Sequence, residues 1–396
     1  MTKATNKPPV IIDLRALQPG YKAHFGRGIG RVTHELTRRL AEHGEDLNLV
    51  GLVQADLDQP DSSYMGNSPR ITMKLPWPRN RILDRLLGQE LILPLTTGKR
   101  KGLTHYLAHL DGPAWGGGPT VVTVHDLILA RRAGEMAGGG PARKILRSLE
   151  ARAARRAELV ITVSSVTAEE VTSYLGVHPD KIRVIPSAAG EQFKPRRDPA
   201  PLSELKNKYG LRSGFILTVG GFDPRKNLPR LIRAWKALSP SVRAGNKLVL
   251  VGALDHESQV RPVLDEIKAQ GVDDSVRLLG QVSDRELPLL YNLAAALVFP
   301  SFYEGFGLPA LEAMSSGCPV LAAKVSALPE VIGEAGLYFN PAETKEISRA
   351  MEAGLTNPDL MARLREKGFR RAALFTWERA VAALTDVYRE ALRGLG

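Results

Sequence analysis

Residues 296–320 constrain the fold of this chain more than any other stretch. The apolar run 294–300 is short enough for a buried strand, and a turn rich in aromatic residues and glycine follows it. Pro309 stands where the first turn of a helix tolerates proline, so 309–316 predicts a short helix that Gly317 ends. Residues 318–323 are apolar again. The order strand, loop, helix, strand is the repeating unit of a doubly wound parallel sheet.

Two carboxylates stand within this unit, Glu304 in the loop and Glu312 in the helix, with seven residues between them. A carboxylate only accepts hydrogen bonds and can take two hydroxyl hydrogens, which suits a vicinal diol. We therefore expect Glu304 to contact a sugar and Glu312 to contact a ribose. The backbone amides of Gly307 and Leu308 are expected to face a phosphate at the helix N-terminus. The alternative, two solvated surface acids, is disfavoured by the Gly-Phe-Gly-Leu-Pro sequence between them.

Residues 304–312, Glu-Gly-Phe-Gly-Leu-Pro-Ala-Leu-Glu, resemble the paired-glutamate motif of retaining glycosyltransferases of the family-4 type. That resemblance implies an α/β protein with the GT-B fold, in which two doubly wound parallel-sheet, Rossmann-like domains face a cleft. It also implies that Phe306 and the backbone around Val282 contact a nucleotide-sugar donor.

A second motif, Gly-Phe-Asp-Pro-Arg-Lys-Asn at 221–227, stands between a predicted strand and a predicted helix. Arg225 and Lys226 directly precede that helix, where free backbone amides and two cations can converge on a diphosphate. Asn227 is a residue type that caps helices well. The motif resembles the donor-phosphate site of the same family, which makes Arg225, Lys226 and Glu304 predicted catalytic residues. The alternative is an exposed basic turn.

The first half carries a glycine loop at 26–30, ahead of a helix predicted over 31–43. Glycines let the backbone approach a ligand in front of a helix. The resemblance places such a loop, here Gly28 and Gly30, against the donor phosphates and the acceptor. A dinucleotide fingerprint needs a third glycine where Arg31 stands, so a Rossmann cofactor is disfavoured. A flexible turn is the other alternative.

His125 ends a strand predicted over 120–125. The carboxyl ends of parallel strands line the region where ligands bind in such sheets. The resemblance implies a histidine beside the transferring sugar, so His125 is a further predicted catalytic residue. The alternative is a structural histidine.

The composition indicates an anionic partner, because the formal net charge is +12 and the pI is about 9.8. The partner classes are nucleic acid, acidic lipid and a phosphorylated ligand, and an arginine-rich coding bias is the alternative. Nucleic acid is disfavoured because only 6% of the residues are aromatic and no nucleic-acid motif is present. Basic segments at 79–101 and 141–156 predict contact with an anionic membrane surface, or else a solvated helix face.

The single cysteine, Cys318, rules out an internal disulfide and favours a reducing compartment. The first ten residues lack the apolar core of a signal peptide. We therefore expect a cytoplasmic protein, peripheral at the inner face of the plasma membrane.

A change of composition, with several prolines between 186 and 208, predicts a linker between two domains. We expect an acceptor-binding domain over 1–195, a linker over 196–212 and a nucleotide-sugar-binding domain over 213–376. The resemblance implies that a final helix, 377–393, packs back on the first domain. Other predicted strands are 10–14, 47–53, 103–107, 159–163, 182–185, 215–220, 247–251, 276–279 and 336–339.

Together these inferences predict a retaining glycosyltransferase. It would move a hexose, with mannose favoured, from a nucleoside diphosphate sugar to a hydroxyl of a lipid-linked or growing polysaccharide acceptor. GDP-mannose is preferred because the glycine loop and the Pro-Arg-Lys-Asn loop look most like those of bacterial polysaccharide mannosyltransferases. A nucleotide-sugar epimerase of the same fold is the main alternative, followed by a basic nucleic-acid-binding protein. No cofactor and no metal are expected, and Asp56 and Asp58 are assigned to solvent.

Overall fold

The computed structural model describes residues 7–21, 28–43, 47–60, 68–75, 84–98, 102–128 and 141–394. The chain divides into two compact units, Met1–Ser187 with Thr376–Gly396, and Ala188–Phe375. Three predicted features lie outside the described residues, namely 26–27 of the glycine loop and 79–83 and 99–101 of the first basic segment.

Within the described residues, the first unit contains a seven-stranded parallel sheet in the order β3-β2-β1-β4-β5-β6-β7. Ile11 of β1 lies between Val50 of β2 and Thr104 of β4. Strands β1, β2 and β5 are largely apolar, as expected where helices cover a parallel sheet on both faces. The order reverses between β1 and β4, which makes their carboxyl ends the switch point of this sheet. The strands are β1 Pro9–Asp13, β2 Asn48–Gln54, β3 Arg70–Met73, β4 Leu103–Tyr106, β5 Thr120–Val124, β6 Leu159–Thr162 and β7 Ile182–Val184.

Helices of several lengths connect these strands, and none of the helices in the described part of the chain is long and apolar enough to cross a bilayer. The α-helices of this unit are Gly28–His43, Leu93–Gly98, Pro141–Arg156, Ser165–Glu170 and Trp377–Arg393, with π-helical segments at Asp84–Ile92 and Val171–Leu175 and 3-10 turns at Arg15–Leu17, His109–Asp111 and Pro179–Lys181.

The last helix, Trp377–Arg393, belongs to the first unit although it comes at the end of the chain. The hydroxyl of Tyr388 lies 2.7 Å from Nδ1 of His105 on β4, and Nε2 of His105 lies 2.8 Å from the hydroxyl of Thr123 on β5. Burial, helped by the nearby His125, lowers the pKa of His105 to about 3, so its ring is neutral. A neutral hydrogen-bonded chain therefore fixes this helix to the sheet.

The second unit contains a six-stranded parallel sheet, within the described residues, in the order β10-β9-β8-β11-β12-β13. Its order reverses between β8 and β11, as the order of the first sheet does between β1 and β4. The strands are β8 Ile216–Val219, β9 Leu248–Val251, β10 Val276–Gly280, β11 Ala296–Phe299, β12 Val320–Ala323 and β13 Gly336–Phe339. The α-helices are Pro199–Tyr209, Leu228–Lys236, Pro240–Ala244, Glu257–Gln270, Leu287–Leu293, Leu308–Ser315, Leu328–Ile332, Thr344–Thr356 and Pro358–Ala372, with 3-10 turns at Pro224–Lys226 and Gly333–Ala335.

The segment predicted as a linker, 196–212, is instead mostly helical and belongs to the second unit, which begins at Ala188. Asp198 caps the helix Pro199–Tyr209 by accepting a hydrogen bond from the amide of Ala200, and Pro199 suits the first turn. Gly210, with φ of 60°, ends the helix in the left-handed conformation. The prolines thus mark a helix start here rather than an extended connection.

Candidate active site

The carboxyl ends of β8 and β11 meet where the strand order of the second sheet reverses. The two strands pair through Ile216 and Ala296. Segment 220–227 leaves β8 and segment 300–307 leaves β11 on this edge of the sheet. In an open parallel sheet the switch point is where ligands bind, so these two segments form the first candidate site.

Three of the predicted catalytic residues form one ion cluster at this switch point. Lys226 Nζ donates to Glu304 Oε1 at 2.6 Å, and Arg225 Nη1 donates to Glu304 Oε2 at 3.0 Å. The same Arg225 nitrogen donates to the carbonyl of Tyr303 at 3.2 Å. Lys226 is 8% exposed and Glu304 7%, whereas the Arg225 side chain is 24% exposed. The cluster therefore presents a partly open cation beside a buried ion pair.

The charges in this cluster shift the proton affinities of its members. Burial would raise the pKa of Glu304, but the charges of Lys226 and Arg225 hold that pKa below its usual value. Burial lowers the pKa of Lys226, an effect that Glu304 opposes and the charge of Arg225 reinforces. Glu304 is thus an ionised carboxylate that holds two cations close together.

Local sequence explains how Lys226 reaches Glu304. Asp223 caps the 3-10 turn Pro224–Lys226 by accepting a hydrogen bond from the amide of Arg225 at 3.0 Å. The ammonium of Lys226 lies 5.0 Å from the ring centre of Phe299, the last residue of β11. Gly220 leaves space for the lysine side chain, because a Cβ at that position would lie 3.1 Å from Lys226 Cε.

Asn227 stands at the start of helix Leu228–Lys236, as predicted, but its side chain does not cap that helix. Its φ of 57° is in the left-handed region, which asparagine tolerates better than most residues. The side-chain amide instead donates to the carbonyls of Pro300 and Pro341, at 3.1 and 2.8 Å. Asn227 therefore ties the segment after β8 to the segment after β11, which keeps Lys226 beside Glu304.

The segment that carries Glu304 is held in turn by the segment that follows β12. The amide of Glu304 donates to the hydroxyl of Ser326 at 2.9 Å, and Ser326 itself has a φ of 43°, a strained value for a residue with a side chain. Gly307 has a φ of 99°, which strains any residue with a side chain, and a Cβ there would also lie 2.6 Å from Cδ2 of Leu328. Gly307 begins helix Leu308–Ser315, whose first N–H groups lack helical acceptors and suit an anion.

The other predicted donor-binding side chains are buried in the same unit. Glu312 Oε2 accepts a hydrogen bond from the hydroxyl of Tyr291 at 3.1 Å, which fixes the direction of the carboxylate. Phe306 packs edge-on against Phe375, with ring centres 5.9 Å apart. Val282 is buried just after β10. Contact of these residues with a nucleotide sugar stays a prediction.

In the first unit, His125 directly follows β5 and is half-buried, with Nε2 2.8 Å from the carbonyl of Leu107. The glycine loop differs from expectation, because the helix begins at Gly28 rather than at Arg31. Gly28 and Gly30 therefore lie in the first helical turn, and neither has a positive φ.

Within the described ranges, no group of three or more histidine, cysteine, aspartate or glutamate side chains is arranged to hold a metal ion. Asp56 and Asp58 are exposed, as predicted.

Two family models match the chain, Glycosyltransferase Family 4 over residues 26–189 and Glycosyl transferases group 1 over residues 203–371. The chain belongs to the family-4 glycosyltransferases. An O-antigen chain mannosyltransferase B from Escherichia coli is 35% identical over 235 residues, 59% of this chain and 61% of that protein. An MMP alpha-(1->4)-mannosyltransferase from Mycolicibacterium hassiacum is 32% identical over 289 residues, 70% of this chain and 66% of that protein. The chain thus spans less than two thirds of the length of both relatives.

The solved structure of HepE from Anabaena in complex with UDP and glucose has the same fold, with a TM-score of 0.75. The match covers 97% of this chain and 100% of HepE, at 18% sequence identity. The predicted GT-B fold of this glycosyltransferase, built on two doubly wound parallel sheets, is confirmed.

In this glycosyltransferase the cluster combines two cations with a helix N-terminus on one edge of the second sheet. That combination suits a diphosphate, while Glu304 can accept further hydrogen bonds beyond the two from its cations.

Sequence reasoning missed Tyr291 and Ser326, which fix Glu312 and Glu304. It also missed Asp223, although an aspartate before a proline is a recognised signal for the start of a helical turn.

Proposed function

We propose that this chain is a retaining glycosyltransferase that transfers a hexose, with mannose favoured, from GDP-mannose to a hydroxyl of a lipid-linked or growing polysaccharide. The observation that carries the proposal is the ion cluster of Lys226, Arg225 and Glu304 at the switch point of the second sheet. The names of the two mannosyltransferase relatives support mannose as the sugar. The UDP and glucose bound to HepE support a nucleoside diphosphate sugar as the donor class.

The proposed chemistry follows from where charge develops. As the bond between the anomeric carbon and the diphosphate oxygen breaks, negative charge grows on the leaving diphosphate. Arg225 and Lys226 stabilise that charge, and the N–H groups of Gly307 and Leu308 add to it. Glu304 orients both cations and accepts a hydrogen bond from the transferred sugar. The acceptor oxygen bonds to the anomeric carbon on the face that the diphosphate leaves, and its proton passes to the leaving diphosphate.

The remaining predicted residues keep their proposed roles. Glu312 binds the ribose, while Phe306 and the backbone of Val282 contact the donor. Gly28 and Gly30 bring the backbone close to phosphate, and His125 contacts the transferred sugar. The second unit is proposed to bind the nucleotide sugar and the first unit the acceptor.

We propose that no divalent metal takes part, because two side-chain cations flank Glu304 where the diphosphate is proposed to bind. Transfer is then expected to continue in the presence of EDTA. Complete loss of transfer that magnesium or manganese restores would contradict this part of the proposal.

A cytoplasmic location, peripheral at the inner face of the plasma membrane, fits the proposed lipid-linked acceptor. The net charge of +12 supports an anionic surface as a partner, and the described part of the basic segment 141–156 forms a helix.

A thermal-shift comparison tests the donor. Because a ligand raises the melting temperature in proportion to the free energy of its binding, GDP-mannose is expected to stabilise the protein more than UDP-glucose at equal concentration. A shift with UDP-glucose alone would contradict GDP-mannose as the donor. Formation of an epimerised nucleotide sugar without any acceptor would contradict transfer itself.

A further inference from the structure

An open pocket of about 420 Å³ lies in the first unit, and none of the predicted site residues lines it. Its lining residues are Ala114, Trp115, Gly116, Arg152, Arg155 and Arg156. Trp115 and Gly116 precede β5, and Arg155 and Arg156 precede β6, the parallel neighbour of β5. The pocket therefore lies at the amino ends of these strands, whereas His125 lies at the carboxyl end of β5.

Three arginines give this pocket a strong positive charge. The Arg152 guanidinium stacks over the ring of Trp115, 5.2 Å from its centre. Arg156 donates to the carbonyl of Gly116, and Arg155 makes a long contact, 3.4 Å, with the carbonyl of Leu175. Over the ranges that the structure describes, none of the three forms an ion pair with a carboxylate, so their charges are available to an anion.

Two exposed leucines lie on a helical segment that packs against the loop lining this pocket. The helical segment 84–98 runs along the loop that carries Trp115, since the amide of Ala114 donates to Glu90 Oε2 at 2.7 Å and the hydroxyl of Thr97 donates to the carbonyl of Gly117. Leu91 follows Glu90 in the chain and is 54% exposed. Leu95, four residues further along the same helical face, is 57% exposed, and Trp115 is 47% exposed.

We propose that these residues form a docking surface for a membrane that contains anionic phospholipids. Arg152, Arg155 and Arg156 pair with lipid phosphates, and Trp115 lies at the level of the headgroups, where an amphipathic ring is favoured. Leu91 and Leu95 enter the boundary of the acyl chains. Charge complementarity and the adjacent apolar side chains together select a lipid surface over a soluble phosphorylated ligand, which offers nothing to the leucines. The proposal does not depend on the transfer reaction, because no predicted site residue takes part in the surface.

Vesicle co-sedimentation of the full chain tests this surface. Binding to vesicles of phosphatidylcholine mixed with phosphatidylglycerol is expected to fall as salt rises, and pure phosphatidylcholine is expected to bind weakly. The triple variant Arg152→Gln/Arg155→Gln/Arg156→Gln should weaken binding to the mixed vesicles by about 100-fold, from the contribution of each arginine near an anionic surface. The matched control Arg212→Gln/Arg363→Gln/Arg370→Gln removes the same charge from exposed positions of the second unit and should bind like the unmodified chain.

Two further variants separate the apolar contribution. Leu91→Gln/Leu95→Gln should weaken binding by about tenfold or more while the remaining binding keeps its salt dependence, because the arginines stay in place. Brominated lipids should quench the tryptophan fluorescence of the unmodified chain and have much less effect on Trp115→Phe. Thermal melts establish that each variant is folded.

Several results would overturn the proposal. One is equal loss of vesicle binding in the two triple-arginine variants, which would mean that only net charge matters. Another is an unchanged affinity in Leu91→Gln/Leu95→Gln. A third is stabilisation by inorganic phosphate, lost in the first triple variant, without any binding to anionic vesicles, which would identify a site for soluble phosphate.

Discussion

Replacing Glu304 by glutamine tests the physical character of the ion cluster, since the change keeps the shape of the side chain and removes its charge. Lys226 Nζ lies 2.6 Å from one carboxylate oxygen and Arg225 Nη1 lies 3.0 Å from the other, and both Lys226 and Glu304 are buried. Removing one partner of a buried pair leaves an uncompensated charge and costs about 3–5 kcal/mol. Because Arg225 is partly exposed, we expect the lower end, about 3 kcal/mol.

For a unit of this size, that loss corresponds to a fall in melting temperature of about 6–12 °C. The matched control is Glu334→Gln, whose carboxylate lies 3.3 Å from Lys367 but is 91% exposed. A surface pair contributes at most about 1 kcal/mol, so the control should melt within about 4 °C of the unmodified protein. Equal melting temperatures for Glu304→Gln and the unmodified protein would refute the reasoning.

A nucleoside diphosphate gives the same variant a second readout. Its phosphates supply the negative charge that Glu304→Gln lacks, so the ligand should raise the melting temperature of the variant by more than it raises that of the unmodified protein. A smaller shift in the variant would mean that Glu304 itself contributes to nucleotide binding.

Two other predictions concern stability. His105 has a pKa of about 3 in the folded state, whereas in the unfolded chain its pKa is near 6.5. Between these two pH values the ring is therefore protonated in the unfolded state and neutral in the folded state. The free energy of unfolding should therefore fall as pH drops through this window, by up to about 1.4 kcal/mol per pH unit, and urea unfolding of His105→Asn should show a flatter dependence. Asn227→Gly should lower the free energy of unfolding by about 1–3 kcal/mol, because two hydrogen bonds are lost. Asn227→Ala should lower it by about 1 kcal/mol more, because alanine is strained in the left-handed backbone conformation. Equal urea midpoints for both variants would contradict the backbone argument.

The sequence predicted much of the fold because parallel strands and their crossovers leave strong local signals. Apolar runs predicted β8 and β11, and the resemblance to the glycosyltransferase family assigned Lys226 and Glu304, which follow these strands, to one donor site. The pairing of these two side chains follows from that topology. The burial of the Lys226–Glu304 pair does not follow from the topology. It depends on the packing of Phe299 and on the absence of a side chain at Gly220.

Other features lacked a local signal. Strand β3, at Arg70–Met73, is a short edge strand with alternating polar residues, and the helical segment 84–98 contains Gly88 and Pro94, which weaken a helical pattern. Prolines suggested a linker where Pro199 begins a helix. The left-handed backbones of Asn227 and Ser326 depend on contacts with distant segments, which one sequence does not reveal.

Turnover of Lys226→Ala at saturating donor tests the central claim most directly. Glu304 keeps Arg225 as a partner in this variant, so the protein should remain folded. Loss of one preorganised positive charge from the leaving diphosphate should lower kcat by about 100- to 1,000-fold. Lys236→Ala, which removes an exposed lysine from the next helix, should leave kcat unchanged. Near-normal turnover of folded Lys226→Ala would contradict the assignment of this cluster as the sugar-transfer site.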